Sequence, residues 1–466
     1  MMAAATAGTR TLADLCAGFG VDVPAIEIAG LAVDSRRVDA GAAFVALPGT
    51  RAHGLDYLEG ALTAGASAVL YPAGDPRWTS TAAARCAASG AAAVAVPGLA
   101  QRLGAIASRH FDDPSAALEA VVAVTGTDGK TSVTHFTAAM LDEPGAPAGV
   151  LGTLGRGRPG QLSDSGLTTP DAIGVQAALA DLVDSGVRRV ALEASSHGLA
   201  QFRLDGTRID VAVLTQLGRD HLDYHGSAEA YAAAKARLFA WPGLRAAVLN
   251  ADDPFGRDLA ARLADDVRSV TFGRDRGMLQ ARDVRPAPDG LRFELVVDDV
   301  AGPVDLPLIG GFNVDNVLAA CAAVRALDVD AASVVERARR IGPVPGRMEA
   351  FTATDRATVV VDYAHNAGAL AAALAALREH AAGRIWCIFG AGGDRDRGKR
   401  PLMAAAAARG ADHVIVTDDN PRNEDPDAIV AAILAGMPAG AAATVERDRD
   451  AALAQALEQA GPGDAI

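Results

Sequence analysis

The stretch Ala120 to Phe136, AVVAVTGTDGKTSVTHF, decides how the rest of the chain is read. Residues 121–124 are small or β-branched and apolar, which reads as a buried strand, and the segment from Lys130 onward reads as a helix. Between them, Gly126 and Gly129 let the backbone turn tightly so that its N–H groups, with those of Thr127 and Asp128, can face a phosphate. The helix start adds a positive dipole end of about half a charge. Lys130 then reaches toward β and γ phosphates, and the hydroxyl of Thr131 or Ser132 completes a magnesium shell. The full G-x-x-x-x-G-K-S/T pattern wants glycine at 124, where this chain has Val124. A glycine-rich turn without function is the bland alternative, but strand, Gly-Lys-Thr and helix stand in the order a nucleotide loop requires.

The same strand-then-polar-loop pattern recurs along the chain. EASSHG, GRDHLDYHG, NADDP, GAGGDRDRGKR and DDNPRNEDP each directly follow an apolar strand. The carboxyl ends of strands are where open α/β sheets bind ligands, so the pattern favours a catalytic α/β protein over a scaffold. Strands GLAVDS, FVALPG, SAVLY and AAAVAV, closed by helical LAQRLGAIASRHF, define an N-terminal α/β domain at 1–115. Strands AVVAVTG, RRVALEAS, DVAVLTQL and AAVLNADD alternate with helices in a central parallel-sheet domain at 116–342. After the turn-rich GPVPGRMEAF, residues 343–466 read as a smaller Rossmann-like domain.

The totals bound the function. A chain of 466 residues holds two to four domains. Its 57 acidic and 43 basic side chains give a net charge of -14, which argues against a nucleic-acid or anionic-membrane surface as partner. Cys16, Cys86, Cys321 and Cys387 are far apart and form no C-x-x-C pair, as expected of a reducing cytoplasm. No apolar run reaches the ~18 residues that a bilayer span needs, so a cytoplasmic protein is expected.

Glu193, at the end of RRVALEAS, and His221, in GRDHLDYHG, belong at the sheet edge that carries the phosphate loop, where carboxylate and imidazole can hold magnesium. Taken singly, each is more often an ordinary polar residue. Together with GTDGKTS, TTPD, EASSHGLAQFR, RDHLDYHG, YAAAKARLF, GFNVDNVLAA, PGRME, VDYAHN, GGDRDRGKRPLM and DNPRNEDP, they make the chain closely resemble the Mur ligases over nearly its whole length. The N-terminal VDSRRVDAGAAFVALPGTRAHG resembles that family's uridine-nucleotide domain.

The resemblance implies three domains, use of ATP and Mg2+, and amide synthesis through an acyl phosphate. It assigns Lys130 to the phosphates and Thr131 or Ser132, Glu193 and His221 to magnesium. It makes Lys235 a lysine that is carbamylated into a further metal ligand, although as a bare sequence this is a solvated helix lysine. Asn313, Asn316, Arg347 and Asp362 become nucleotide contacts, with Arg347 reaching the γ-phosphate only when the third domain closes. The acidic sugar-peptide substrate, UDP-N-acetylmuramoyl-L-alanyl-D-glutamate, is placed against Val33, Ser35 and the Thr50, Arg51, Ala52 loop, then Thr168, Thr169, Ser195, Gln201 and Arg203. A fork from Arg203 to a carboxylate fits this placement.

The block DNPR, in this family, goes with meso-diaminopimelate as the amine donor. Arg422 then pairs with the distal carboxylate, Asp419 accepts from the distal ammonium, Arg395 offers a second carboxylate contact, and Asn420 and Pro421 complete the loop. Lysine lacks that carboxylate and would leave Arg422 unpaired. Asp128 stands where the family has asparagine, Gly218 where threonine is common, and HNAGAL replaces the usual H-T/N-P-D-A/S-L. Relatives continue past AGPGDAI with an apolar strand and a Gly-Lys-Gly-His-Glu loop, so a shortened third domain is expected of a chain ending at Ile466. The competing readings are a lysine-adding ligase, a folylpolyglutamate-type ligase, and a nucleotide- or UDP-sugar-binding protein without turnover. A monomer is expected.

Overall fold

The structure, a computed structural model, describes residues 10–49 and 52–466. Thr50 and Arg51, expected at the uridine end, lie outside the described residues. The chain divides into two compact units, one formed by the described residues up to 272 with 322–329, the other by 273–321 with 330–466. Among the described residues no helix is long and apolar enough to cross a membrane.

In the first unit, strands Leu31–Ala32, Ala43–Val45, Ala68–Pro72 and Ala92–Val96 lie side by side in chain order, all parallel. Helices Leu58–Thr63 and Ser80–Ser89 make the crossovers, and Leu99–His110 follows the last of these strands as the sequence suggests. Phe44, Val45 and Leu70 are fully buried in its core.

The larger sheet of this unit runs Ala148–Gly152, Arg189–Glu193, Ala120–Thr125, Val211–Leu214, Ala246–Asn250 and Arg268–Phe272, also all parallel. Ala120–Thr125 sits in the middle because helices cover both faces of a parallel sheet, and a strand with no polar face suits only that place. Full burial of Val121, Val122 and Val124 contributes ~2 kcal/mol apiece by transfer from water. Register sets Glu193 beside Val124 and Leu214 beside Thr125, so three strands deliver their following loops to one edge. An antiparallel hairpin, Gly155–Arg158 with Gln161–Ser163, extends the far side. Helix Leu99–His110 touches the turn after Arg203 backbone to backbone: a Cβ on Gly104 would lie 1.6 Å from Asp205 O, and one on Gly206 2.4 Å from Gly104 C.

In the second unit, Leu279–Ala287, Gly290–Val297 and Val300–Leu306 form an antiparallel meander, an addition to the parallel strands read from 116–342. The alternation in LRFEL, one residue in and one out, is its signature. Beyond it, Trp386–Phe389, His413–Val416 and Thr444–Val445 pair in parallel with helices Ala367–Arg378, Lys399–Gly410, Pro426–Leu434 and Arg449–Gln459, the expected Rossmann-like arrangement. Glu349–Phe351 and Val359–Val361 pair antiparallel beside it. Ala465 bridges in parallel to both Thr358 and Ile385, which ties residues 464–466 to this part of the second unit.

Candidate active site

The phosphate loop is bolted to the segment that follows Val211–Leu214. Thr215 Oγ1 donates to Asp128 O at 2.6 Å, Gln216 Nε2 to the Asp128 carboxylate at 2.9 Å, and Gly218 N to Thr127 Oγ1 at 2.7 Å. The Asp128 side chain, an unusual charge beside a phosphate loop, is thereby turned onto an amide. Gly126 has φ +152°, and a Cβ there would fall 1.8 Å from Thr215 Oγ1, so the approach is open only to glycine. Helix Lys130–Leu141 begins at Gly129 with no side-chain cap, which leaves its N-terminus to an anion. Lys130 folds back over the loop, donating to Gly126 O at 3.0 Å and Thr127 O at 2.8 Å.

Glu193 is 2% exposed, and among the described residues it is held by neutral donors. Thr131 Oγ1 lies 3.0 and 3.1 Å from its two oxygens, Thr153 N donates at 2.7 Å and Thr153 Oγ1 at 3.1 Å. Of the two hydroxyls offered by the sequence, the structure therefore brings Thr131 to the carboxylate, while Ser132 is buried in the same helix turn. Thr153 Oγ1 also meets Thr168 Oγ1 at 2.9 Å. Thr169 Oγ1 donates to Glu193 O at 2.7 Å and accepts from Ser195 N at 3.1 Å. Thr153, which the sequence reading missed, stands directly after an apolar strand, the same signal that found Glu193.

Lys235 is 1% exposed, so it is not a solvated helix lysine. Its ammonium donates to Gly126 O at 2.6 Å and lies 4.6 Å from the centre of the Tyr231 ring. Burial, and then the like charge of Lys130, push its pKa well below the ordinary lysine range. The same burial lifts Tyr231 to about 12, and its hydroxyl meets Thr127 Oγ1 at 3.1 Å.

His221 adopts φ +51° with its side chain 47% exposed, and its Nε2 lies 3.4 Å from Asp220 Oδ2. Its ring stands edge-on to His197 at 4.7 Å; His197 in turn tilts against Tyr224 at 4.1 Å and approaches His225 at 5.5 Å. This ring cluster was not anticipated. Burial, then His221 and His225, push His197 down to about 4. Among the described residues no group of three or more His, Cys, Asp or Glu is gathered to hold an ion alone. The donors present, the Glu193 carboxylate and the Thr131 hydroxyl, are hard oxygens that suit magnesium, whose shell is usually completed by phosphate and water.

Arg203 places a fork on Gln201 Oε1, at 3.1 Å from Nε and 2.7 Å from Nη2, and donates from Nη1 to Thr169 O at 2.6 Å. Gln201 Nε2 donates to Tyr224 OH at 2.7 Å. Thr168, Thr169, Ser195, Gln201 and Arg203 thus form one connected group. Ser35 opens the short helix Ser35–Arg37 behind Asp34, Val33 packs on the N-terminal core, and Ala52 O accepts from Gly49 N at 3.0 Å.

In the second unit, Asn313 Nδ2 donates to Ile309 O at 2.8 Å and Asn316 Nδ2 to Asn313 Oδ1 at 2.9 Å. The Arg347 guanidinium lies 4.7 Å from the centre of the Tyr363 ring, and Asp362 accepts from Met348 N and Ala364 N. Arg395, Asp419, Asn420 and Arg422 line a single cavity of about 720 Å³ with Tyr363 and Lys399. Arg422 Nη1 donates to Gly393 O at 2.6 Å, and Pro421 O accepts from Glu424 N at 3.0 Å.

Three family models match in order along the chain: the Mur ligase family catalytic domain over residues 27–111, the Mur ligase middle domain over 124–324, and the Mur ligase glutamate ligase domain over 346–466. The chain belongs to the Mur ligase family. A Mur ligase of Alkalilimnicola ehrlichii named UDP-N-acetylmuramoyl-L-alanyl-D-glutamate--2,6-diaminopimelate ligase is 51% identical over 443 residues, 94% of this chain and 89% of that protein. A protein of the same name from Pseudomonas aeruginosa is 46% identical over 438 residues, covering 94% and 88%. A solved structure of such a ligase matches with a TM-score of 0.72 at 35% identity, covering 98% of this chain and 93% of that one. The fold is accordingly the three-domain α/β fold of the Mur ligases.

Proposed function

We propose that this chain is an ATP-dependent amide ligase that joins meso-diaminopimelate to UDP-N-acetylmuramoyl-L-alanyl-D-glutamate in peptidoglycan precursor synthesis. A carboxylate of the nucleotide-sugar peptide takes the γ-phosphoryl of ATP, and the amine then displaces phosphate from the acyl carbon. The observation that carries the reading is the cavity in which Arg395, Arg422 and Asp419 stand together, two cations and an anion that complement a zwitterionic distal end. The relatives' shared name supports the same donor.

The chain's own residues do the positioning that phosphoryl transfer requires. The loop N–H groups and Lys130 bind the phosphates, and Glu193 with Thr131 would hold magnesium, which neutralises phosphate charge when bound. Asn313, Asn316, Arg347 and Asp362 complete the nucleotide contacts. The Thr168 to Arg203 group, with Val33, Ser35 and the 50–52 loop, orients the acidic substrate, and Asn420 and Pro421 complete the donor loop. His221 is the second magnesium residue in this reading. Lys235, whose pKa burial lowers, adds through its neutral amine to carbon dioxide to give a carbamate and a proton, becoming a carboxylate beside the loop. Domain boundaries near 115 and 342, a cytoplasmic location and a monomeric state belong to the same reading.

Phosphate release from ATP with the nucleotide-sugar dipeptide and either amine tests it. Release should depend on meso-diaminopimelate and be at least about a hundredfold slower with L-lysine. Release independent of any amine would reduce the chain to a binding protein, and equal rates with lysine would overturn the donor assignment.

A further inference from the structure

The donor cavity is built on two polar loops that follow the paired strands Trp386–Phe389 and His413–Val416, whose ladder ends at Phe389 and Val416 and leaves the loops beyond it to be held mainly by side chains. Among the side chains that join them, Glu424 makes the most contacts. Its Oε1 accepts from Asp394 N at 2.6 Å and from Arg400 Nη2 at 2.9 Å, and its Oε2 lies 3.0 Å from Arg397 Nη2. The Arg400 side chain is 2% exposed and that of Glu424 9%, so this is an interior ion pair, while Arg397 caps it from solvent. Neither Glu424 nor Arg400 lines the cavity of Arg395 and Arg422; both line a separate recess with Asp394, Arg397 and Asn423. Glu424 is therefore behind the donor site, not in it.

Its contacts bracket the residues that do face the cavity. Arg395 stands between Asp394 and Arg397, both held by Glu424. Arg422, two residues before Glu424, adopts φ +50°, a conformation that a non-glycine residue keeps only where its surroundings enforce it. Those surroundings are Asn420 Oδ1, which accepts from Arg422 N at 3.2 Å, and Gly393 O, which accepts from Arg422 Nη1. Asn423 Nδ2 adds a bond to Asp394 Oδ2 at 2.8 Å, and Gly393 N one to Asn420 O at 2.9 Å. The Glu424 carboxylate reinforces these cross-loop bonds with its own to Asp394 N and to the two guanidinium groups.

We propose that Glu424 is a positioning residue for the amine donor: by tying Asp394, Arg397 and Arg400 to the 419–424 loop, it sets Arg395 and Arg422 where they can select a donor with a distal carboxylate. The inference rests on the donor reading given above. It separates the grip on that carboxylate from the residue that arranges the grip.

Steady-state kinetics of the full chain with Glu424→Gln and Glu424→Asp test it, with melting temperatures as the check on folding. Glu424→Gln keeps an acceptor for Asp394 N but loses the charge facing two guanidinium groups. KM for meso-diaminopimelate should rise about tenfold and the preference over lysine should fall by a like factor, with KM for ATP and for the nucleotide-sugar dipeptide unchanged. Glu424→Asp keeps the charge for buried Arg400 while its shorter arm gives up Asp394 N, so it should fold and show an intermediate loss. Unaltered donor preference in Glu424→Asp, or an equal loss toward every substrate, overturns the inference. Wild-type chain that ignores meso-diaminopimelate overturns the donor reading and this inference together, whereas a selective wild type with equally selective variants overturns this one alone.

Discussion

Glu193 and Glu424 are both largely buried carboxylates that follow parallel strands, yet their surroundings are opposite. The donors seen at Glu193 among the described residues are neutral, two hydroxyls and an amide, whereas Glu424 faces two guanidinium groups and one amide. A carboxylate ringed by neutral donors is oriented but not neutralised, and so can still meet a cation. One locked between arginines has its charge compensated within the protein and serves the fold. In the function proposed above, the distinction separates a residue that handles charge in the reaction from one that arranges its neighbours, and neither sequence distance nor burial alone would make it.

The comparison breaks first at Glu193. Glu193→Gln should leave the fold intact, because one acceptor oxygen remains for Thr153 N and Thr131, but lower turnover by about a hundred- to a thousandfold in a phosphate-release assay. A variant with near wild-type turnover would show that the carboxylate's charge does no chemical work. Arg422→Ala comes next: it should narrow the preference for meso-diaminopimelate over lysine by about ten- to a hundredfold while leaving the KM for ATP where it was. An unchanged preference ratio would remove Arg422 from donor selection.

The smallest effect is a pH dependence of stability. Hydrogen bonding to Arg400, together with the Asp394 amide and the charges of Arg397 and Arg400, holds Glu424 below its ordinary value of 4.5. A carboxylate whose pKa is lower in the folded state binds fewer protons there, so its contribution is complete above about 4.5 and is lost as the pH falls through the folded value. Urea melts of wild type and Glu424→Gln should therefore differ at neutral pH and converge in acid. A gap that stays constant into acid would mean that the carboxylate's ionisation contributes nothing.

Where chemistry sits at a strand's end, the sequence told much of this. Val121 to Val124, the glycines after them and Lys130 are contiguous, and one local pattern shows both the strand and the turn. The loops of Arg395 and Arg422 show in the same way, each after an apolar run, but only the family resemblance picks these two arginines out of them. Lys235 was harder to read: its helix, Ala228–Ala236, is so rich in alanine that no polar face contrasts with an apolar one, and burial has no periodic signal there. Glu424 lies in the charged run NEDP, which reads as solvated until Arg400 is known to be beneath it. The hairpin of 155–163 escaped for a related reason, since glycines and arginines conceal a strand that lies at a sheet edge. Interactions between distant loops, such as Thr153 with Glu193 or Asn423 with Asp394, have no local signature at all.

Gly104 and Gly206 leave no side-chain cushion between helix Leu99–His110 and the turn beyond Arg203. Surfaces padded by flexible groups can slide over one another; bare main chain pressed on main chain is keyed. In the function proposed above, Ser35 and Arg203 grip one substrate, and a side chain in place of either glycine would have to force the helix and the turn apart.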